Sequence, residues 1–247
     1  MYAATASLVS AAGDYRWLLD QGYPQTASLK LVGDRHRLER DERLVLFRGV
    51  SAAAASASRR ALVSDTARGR TLLVDGYNQA FAVMHYLAGR PVFLSSDGLL
   101  RDAGASHGRI SDRALFSRSL AILAGAIAAA CPSDVTACFD SPVPFSADHA
   151  REFERELRAA GLEATCLAVR SADAALIAAL ETAAPGTSVA SADSVIADAL
   201  IVRASAAGGR PVVFDAARFA IEREFGQRTW LDFGAVLDRP DPPPPCP

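Results

Sequence analysis

Four aspartates stand out by what precedes them. Asp75 follows the apolar run Leu72-Leu73-Val74, and Asp140 follows VTACF at Val135–Phe139. Asp193 lies a step beyond Ser188–Ala190, and Asp215 follows PVVF at Pro211–Phe214. Short apolar runs of this kind suit strands buried on both faces of a parallel sheet. Parallel strands share one carboxyl edge, where open α/β sheets place their ligands. Three or four carboxylates gathered there would repel one another unless a cation neutralised them. An oxygen-rich set suits Mg²⁺ or Mn²⁺, and the matching chemistry is metal-assisted hydrolysis of a phosphodiester.

Each aspartate also has a plainer reading. Asp75 and Asp193 could cap the helices that follow them, and Asp140-Ser141-Pro142 could open a turn. The strand before Asp215 could lie at the sheet edge, which makes it the weaker fourth member. Asn78, one turn beyond Asp75, could orient that carboxylate or bond a water of the site, or be an ordinary helix residue. The stretch Ser95–Arg109 (SSDGLLRDAGASHGR) is long for a connection without secondary structure, and such loops are often functional. Its Asp97 and Asp102 could complete a metal shell, and Arg101 and Arg109 could hold phosphate. His107 could protonate a leaving oxygen, although a lone loop histidine is more often polar surface.

The elements that must position these residues alternate strand and helix beyond Arg70. Strands are expected at 71–75, 91–94, 135–139, 164–169, 188–190 and 211–214. Helices are expected at 77–88, 112–130, 146–160, 172–182 and 194–204. Such alternation implies right-handed βαβ units and a mostly parallel sheet. Before it, glycine-punctuated helices are expected at 4–21, 27–32 and 34–49, closed by Gly22, Gly33 and Gly49. The arginines of DRHRLERDERLVLFRG alternate with acids, so that stretch reads as a salt-bridge-laced helix rather than a nucleic-acid face. Ser51–Ser58 is an alanine-serine run that could be helix or linker. The organisation is therefore a small helical module at 1–60, an α/β domain at 70–235 and a proline-rich, disordered tail at 238–247.

Composition narrows the classes. A chain of 247 residues with 50% apolar content can pack a large α/β domain, and a net charge of -2 excludes a broadly cationic nucleic-acid coat. The positive charge is almost all arginine, with Lys30 the only lysine. Cys131, Cys138, Cys166 and Cys246 form no CxxC pair, which argues against a disulfide framework or zinc site. No basic leader and no apolar run of about 18 residues is present, so a cytoplasmic protein with no membrane partner is expected. The phosphate-loop, GxGxxG and GxSxG fingerprints are missing.

The motifs LLVDGYN, CFDSP and SADSVI resemble the acidic motifs of PIN-like and NYN-type nuclease domains. The wider run LLDQGYP, LVGDRHRL, LLVDGYN, SSDGLLRD and FDSP resembles an uncharacterised two-part prokaryotic family. In that family a short N-terminal domain of unknown function precedes a PIN-like domain. The resemblance implies a Rossmann-like three-layer α/β/α sandwich with about five strands, and a divalent-metal ribonuclease with Asp75, Asp140 and Asp193 as the matching acids. Single-stranded or structured small RNA would be the substrate, and a homodimer is left open. Gln79 and Ala80 depart from the apolar pair expected after DGYN, and SADSVI lacks a threonine before its acid. A non-catalytic RNA- or nucleotide-binding adaptor on the same fold is the alternative, supported by the near-neutral charge. A small-molecule phosphohydrolase is a third reading.

Overall fold

The structure is a computed structural model and describes residues 4–104, 110–184, 186–206, 212–226 and 228–238. His107, Arg109, Pro211 and the proline-rich segment at 239–247 lie outside the described residues. Four helices come first: α1 (Ala6–Asp20), α2 (Gln25–Arg35), α3 (Arg40–Gly49) and α4 (Ala53–Arg60). Thr5 caps α1 by accepting from the Leu8 N–H at 3.1 Å, and Glu39 and Glu42 form a capping box on α3. The alanine-serine run is helix α4. The expected boundary at Gly33 gives way, because α2 runs through it to Arg35 and α3 begins only at Arg40. Gly33 serves a close approach instead: a Cβ there would sit 2.4 Å from the Arg43 guanidinium.

This module is packed onto the rest of the chain. Leu8, Tyr15, Val45 and Leu46 share one core with Phe93 and Phe233. Those two rings belong to β3 (Val92–Leu94) and α11 (Phe233–Leu237).

The central sheet has six strands, all parallel, where about five were expected. They are β1 (Val63–Ser64), β2 (Thr71–Asp75), β5 (Asp134–Asp140), β6 (Ala164–Val169), β7 (Ser188–Ala190) and β8 (Val212–Phe214). Their order across the sheet is β1-β8-β7-β2-β5-β6. The extra strand is β1, whose two residues are too short to read as a strand in sequence. It covers β8, so the strand before Asp215 is not at the edge. A separate antiparallel hairpin joins β3 to β4 (Leu100–Asp102), so part of the expected irregular loop is strand.

Strand alternation sends successive side chains to opposite faces. Leu72, Val74, Val135 and Phe139 face one core with α5 (Gly76–Leu87), α6 (Arg113–Ala129), α7 (Ser146–Ala159) and α10 (Ala216–Phe225). Leu73 and Cys138 face a second core with α8 (Ala172–Thr182) and α9 (Ser194–Ala206). The result is the expected three-layer α/β/α arrangement. The chain leaves β2 for β5 on one side and later returns to β7 on the other. Strand order therefore reverses at β2, and the crevice at such a switch point is where this architecture binds ligands. Among the described residues no helix is long and apolar enough to cross a membrane.

Candidate functional site

Asp75 ends the central strand at that switch point. Gly76 follows because α5 starts pressed on Phe139, and a Cβ at Gly76 would meet the ring at 2.5 Å. Asp75 caps α5 as the plainer reading expected: its Oδ1 accepts from the Asn78 N–H at 3.2 Å. Its Oδ2 accepts from the Ser191 hydroxyl at 3.1 Å, and that hydroxyl accepts from the Asp193 N–H at 3.1 Å. One serine thus couples the end of β2 to the loop after β7. Asn78 holds the same loop, its Oδ1 accepting from the Ala192 N–H at 2.9 Å.

Gln79, the departure from the family pattern, explains itself structurally. It is buried, donates its amide to Asn78 Oδ1 at 2.9 Å and accepts from the Ala217 N–H at 2.8 Å. It ties Asn78 to the start of α10.

Asp140 reaches the same edge from β5. In register, Asp75 sits opposite Cys138, and strand alternation puts Asp75, Cys138 and Asp140 on one face. Asp140 Oδ1 accepts from the Ala172 N–H at 2.8 Å, which brings the first turn of α8 against it. That turn carries Asp173, a residue the sequence reading did not single out. Ser-Ala-Asp occurs at 146–148, 171–173 and 191–193, so the tripeptide alone does not single out Asp173. Asp173 lies inside helix α8 rather than at a strand end, where an acid in the first turn is commonplace.

The carboxylates act on one another electrostatically. Burial pushes the Asp75 carboxyl up to about 7, and the charges of Asp173 and Asp140 add to the rise. Hydrogen bonds from Asn78 and Ser191 offset only part of it. Asp173 is also raised, first by burial and then by Asp193 and Asp140. The Cys138 thiol, between Asp75 and Asp140, is pushed up to about 11 by burial and by both carboxylates. Every charge named in these shifts is negative. Asp75 is 4% exposed, while Asp140, Asp173 and Asp193 are half-buried and face solvent in part.

A carboxylate set of this chemistry fits a hard divalent cation, which would offset the like-charge repulsion that adds to the burial-driven rise of Asp75 and Asp173. Among the described residues, no three His, Cys, Asp or Glu side chains are gathered as a ready-made metal site. Asp193 is engaged as a local cap, its Oδ1 accepting from the Val195 N–H at 2.6 Å.

The other expected residues that the structure describes have partners of their own inside the fold. Asp97 is 0% exposed and is committed to Arg101 Nη2 at 2.7 Å, with Arg59 Nη1 at 3.7 Å. Arg101 is buried, and its other donors reach the Ala192 carbonyl at 2.9 Å and the Arg48 carbonyl at 2.8 Å. Its guanidinium is therefore occupied inside the fold, which corrects the expectation that it holds phosphate. Asp102 is buried between Arg48 at 3.3 Å and His85 at 2.8 Å. Burial pushes the Asp102 carboxyl up, but bonds and charge from His85, Arg48 and the Gly104 N–H carry it below the usual range. Asp97 and Asp102 as metal-shell members are corrected likewise, since their charges are already matched by internal cations. Asp215 is buried, caps α10 through the Arg218 N–H at 2.9 Å and accepts from the Leu100 N–H at 2.6 Å.

Fold and edge together define an α/β/α domain with carboxylates at its switch point, joined to a helical N-terminal module. Residues 64–204 match the family described as Domain of unknown function (DUF5616), and residues 7–61 match Protein of unknown function (DUF434). The first match spans more than half of the chain, which therefore belongs to that family, in a two-part arrangement with the second. The chain is similar to Uncharacterized protein MJ0935 of Methanocaldococcus jannaschii, at 23% identity over 119 residues. That stretch covers 47% of this chain and 57% of the relative, less than two thirds of its length. No solved structure matches the chain.

Proposed function

We propose that the chain is a divalent-metal-dependent ribonuclease of PIN-like type, acting in the cytoplasm at the aspartate edge of its parallel sheet. The observation that carries the reading is the set Asp75, Asp140, Asp173 and Asp193 at the switch point, where burial raises the Asp75 and Asp173 carboxyls and neighbouring carboxylates add to the rise. Mg²⁺ or Mn²⁺ held by these carboxylates would supply a more acidic water and neutralise charge on an RNA phosphate. Asp75 anchors the set because the Asn78 N–H and the Ser191 hydroxyl fix both of its oxygens. Asn78 and Ser191 act as positioning residues, holding the loop that carries Asp193 against β2. Arg101 extends that support, since it clamps the Ala192 carbonyl from the side of the N-terminal module.

The test is cleavage of single-stranded RNA with Mn²⁺ or Mg²⁺ by the full chain and by Asp75→Asn. Metal-dependent cleavage by the wild type and its loss in the variant are expected, because an amide lacks the charge a cation requires. RNA binding that survives chelation, with no cleavage under any divalent ion, would overturn the reading. That outcome would favour the adaptor, which the imperfect acidic motifs and the near-neutral charge support. Turnover of phosphate monoesters but not RNA would favour a small-molecule phosphohydrolase.

A further inference from the structure

At the far end of α5 lies a cavity of about 310 Å³, lined by Tyr86, Arg90, Pro91, Val92, Arg228 and Trp230 among others. That volume is at the lower end of small-ligand pockets. Twelve residues of helix separate it from Asp75, roughly 18 Å at the helical rise. It is thus a different place from the acidic edge, and nothing in the edge chemistry uses it.

Its lining has one chemical character. Two aromatic side chains form its walls, Tyr86 and Trp230, with ring centroids 6.1 Å apart and planes at 61°. Trp230 is held in place by donating its indole N–H to Glu222 Oε1 at 2.9 Å. Two arginines stand at the same cavity, Arg90 and Arg228, both exposed, and among the described residues no acid lines it. The Arg228 guanidinium lies 5.8 Å from the Tyr86 ring centroid and 5.9 Å from that of Phe225, within cation–π range. Aromatic faces accept any nucleobase by stacking, and arginine's planar fork matches phosphate. A simple anion would leave the aromatic walls unused, and an apolar ligand would leave two cations unmatched.

We propose that this cavity binds a nucleotide unit, its base against Trp230 and Tyr86 and its phosphate between Arg90 and Arg228. The unit is either a free mononucleotide or one residue of a longer RNA. The inference stands without the nuclease reading, because it needs neither the aspartates nor a metal.

The test uses the full chain carrying Trp17→Phe, which leaves Trp230 as the sole tryptophan. Its fluorescence is titrated in chelator with AMP, an adenosine pentaribonucleotide, adenosine and ribose 5-phosphate. Saturable quenching by AMP or the pentamer is expected, with adenosine and ribose 5-phosphate much weaker. Arg90→Ala and Arg228→Ala should each weaken the quenching ligand about tenfold, as loss of a charge-assisted bond does. Both are surface residues, so the variants retain the fold. Quenching by the pentamer alone assigns the site to an RNA chain, and equal or tighter AMP binding assigns it to free nucleotide. No saturable quenching, affinities untouched by both arginine variants, or ribose 5-phosphate binding as well as AMP would each overturn the proposal. Because metal is absent throughout, failure here leaves the edge reading standing, and the reverse also holds.

Discussion

Two groups of aspartates in this chain are treated in opposite ways. Under the N-terminal helices, Asp97 meets Arg101 and Arg59, and Asp102 meets Arg48 and His85. At the sheet edge, Asp140 and Asp173 add to the burial-driven rise of Asp75, and Asp193 and Asp140 to that of Asp173. The first group comes with its own counter-charge and holds the module to the α/β domain. Among the described residues the second group has no ion pair, although Asp193 lies within the electrostatic reach of Arg59. A buried acid is thus structural where the fold supplies its cation, and a ligand candidate where it does not.

The contrast can be broken most forcefully at the matched group. Arg101→Ala leaves Asp97 fully buried without its 2.7 Å partner, and removal of one member of a buried pair costs about 3–5 kcal/mol. Denaturant unfolding of the variant should show a loss of that size. A change within about 0.5 kcal/mol would mean that Arg59 alone carries Asp97 and that the clamp on Ala192 is dispensable.

The unmatched group should respond with the opposite sign. Asp75→Asn removes a crowded charge while keeping an oxygen for the cap, since asparagine caps about as well as aspartate. At pH 8 without metal the variant should be more stable than wild type by roughly 1–3 kcal/mol. Destabilisation there would show that the carboxylate charge is already compensated within the fold.

The same difference has a pH signature. With a folded value of about 7 against an ordinary 3.8, folded Asp75 holds a proton that the unfolded chain has released between those limits. Metal-free wild type should therefore lose stability as pH rises from about 4 to 7, with the full benefit present below the lower value. Asp215, pushed up to about 6 mainly by burial, adds to the lower part of that window. Thermal melts across it should slope downward in wild type and more gently in Asp75→Asn. Parallel slopes would assign the titration elsewhere.

Asp173→Asn is the smallest of these changes. The side chain is half-buried and its interactions are screened, so a gain below about 1 kcal/mol is expected in chelator melts. A loss of stability would instead make Asp173 a helix-dipole partner for α8.

The same two groups show how far the chain could be read without coordinates. The strands ending at Asp75 and Asp140 and the strand before Asp193 were legible because short apolar runs broken by an acid have few alternative readings. β6, α8 and β7 fall where their apolar runs and caps put them. Asp102 reads as a free loop acid because Arg48 and His85 are remote in sequence, whereas Asp97 has a local partner in Arg101 whose pairing becomes evident only once burial turns both inward. β4 was hidden in a glycine-bearing stretch that pairs only three residues with β3. The helices α10 and α11 were left unassigned beyond Asp215, although Asp215 and Asp232 cap them by the same short bonds as elsewhere. Gly33 looked like a stop because a sequence does not show the arginine that needs its missing Cβ.

Whether the sheet-edge carboxylates hold a divalent cation is tested most directly by the shift in Tm produced by Mn²⁺. Wild type should melt higher as Mn²⁺ is added, in the manner of a ligand that binds only the folded state, gaining about 2.7 kcal/mol at a hundred times the Kd. Asp75→Asn should start higher in chelator and gain clearly less from the metal. Equal Mn²⁺ shifts in the two proteins, or none in wild type, would contradict the claim.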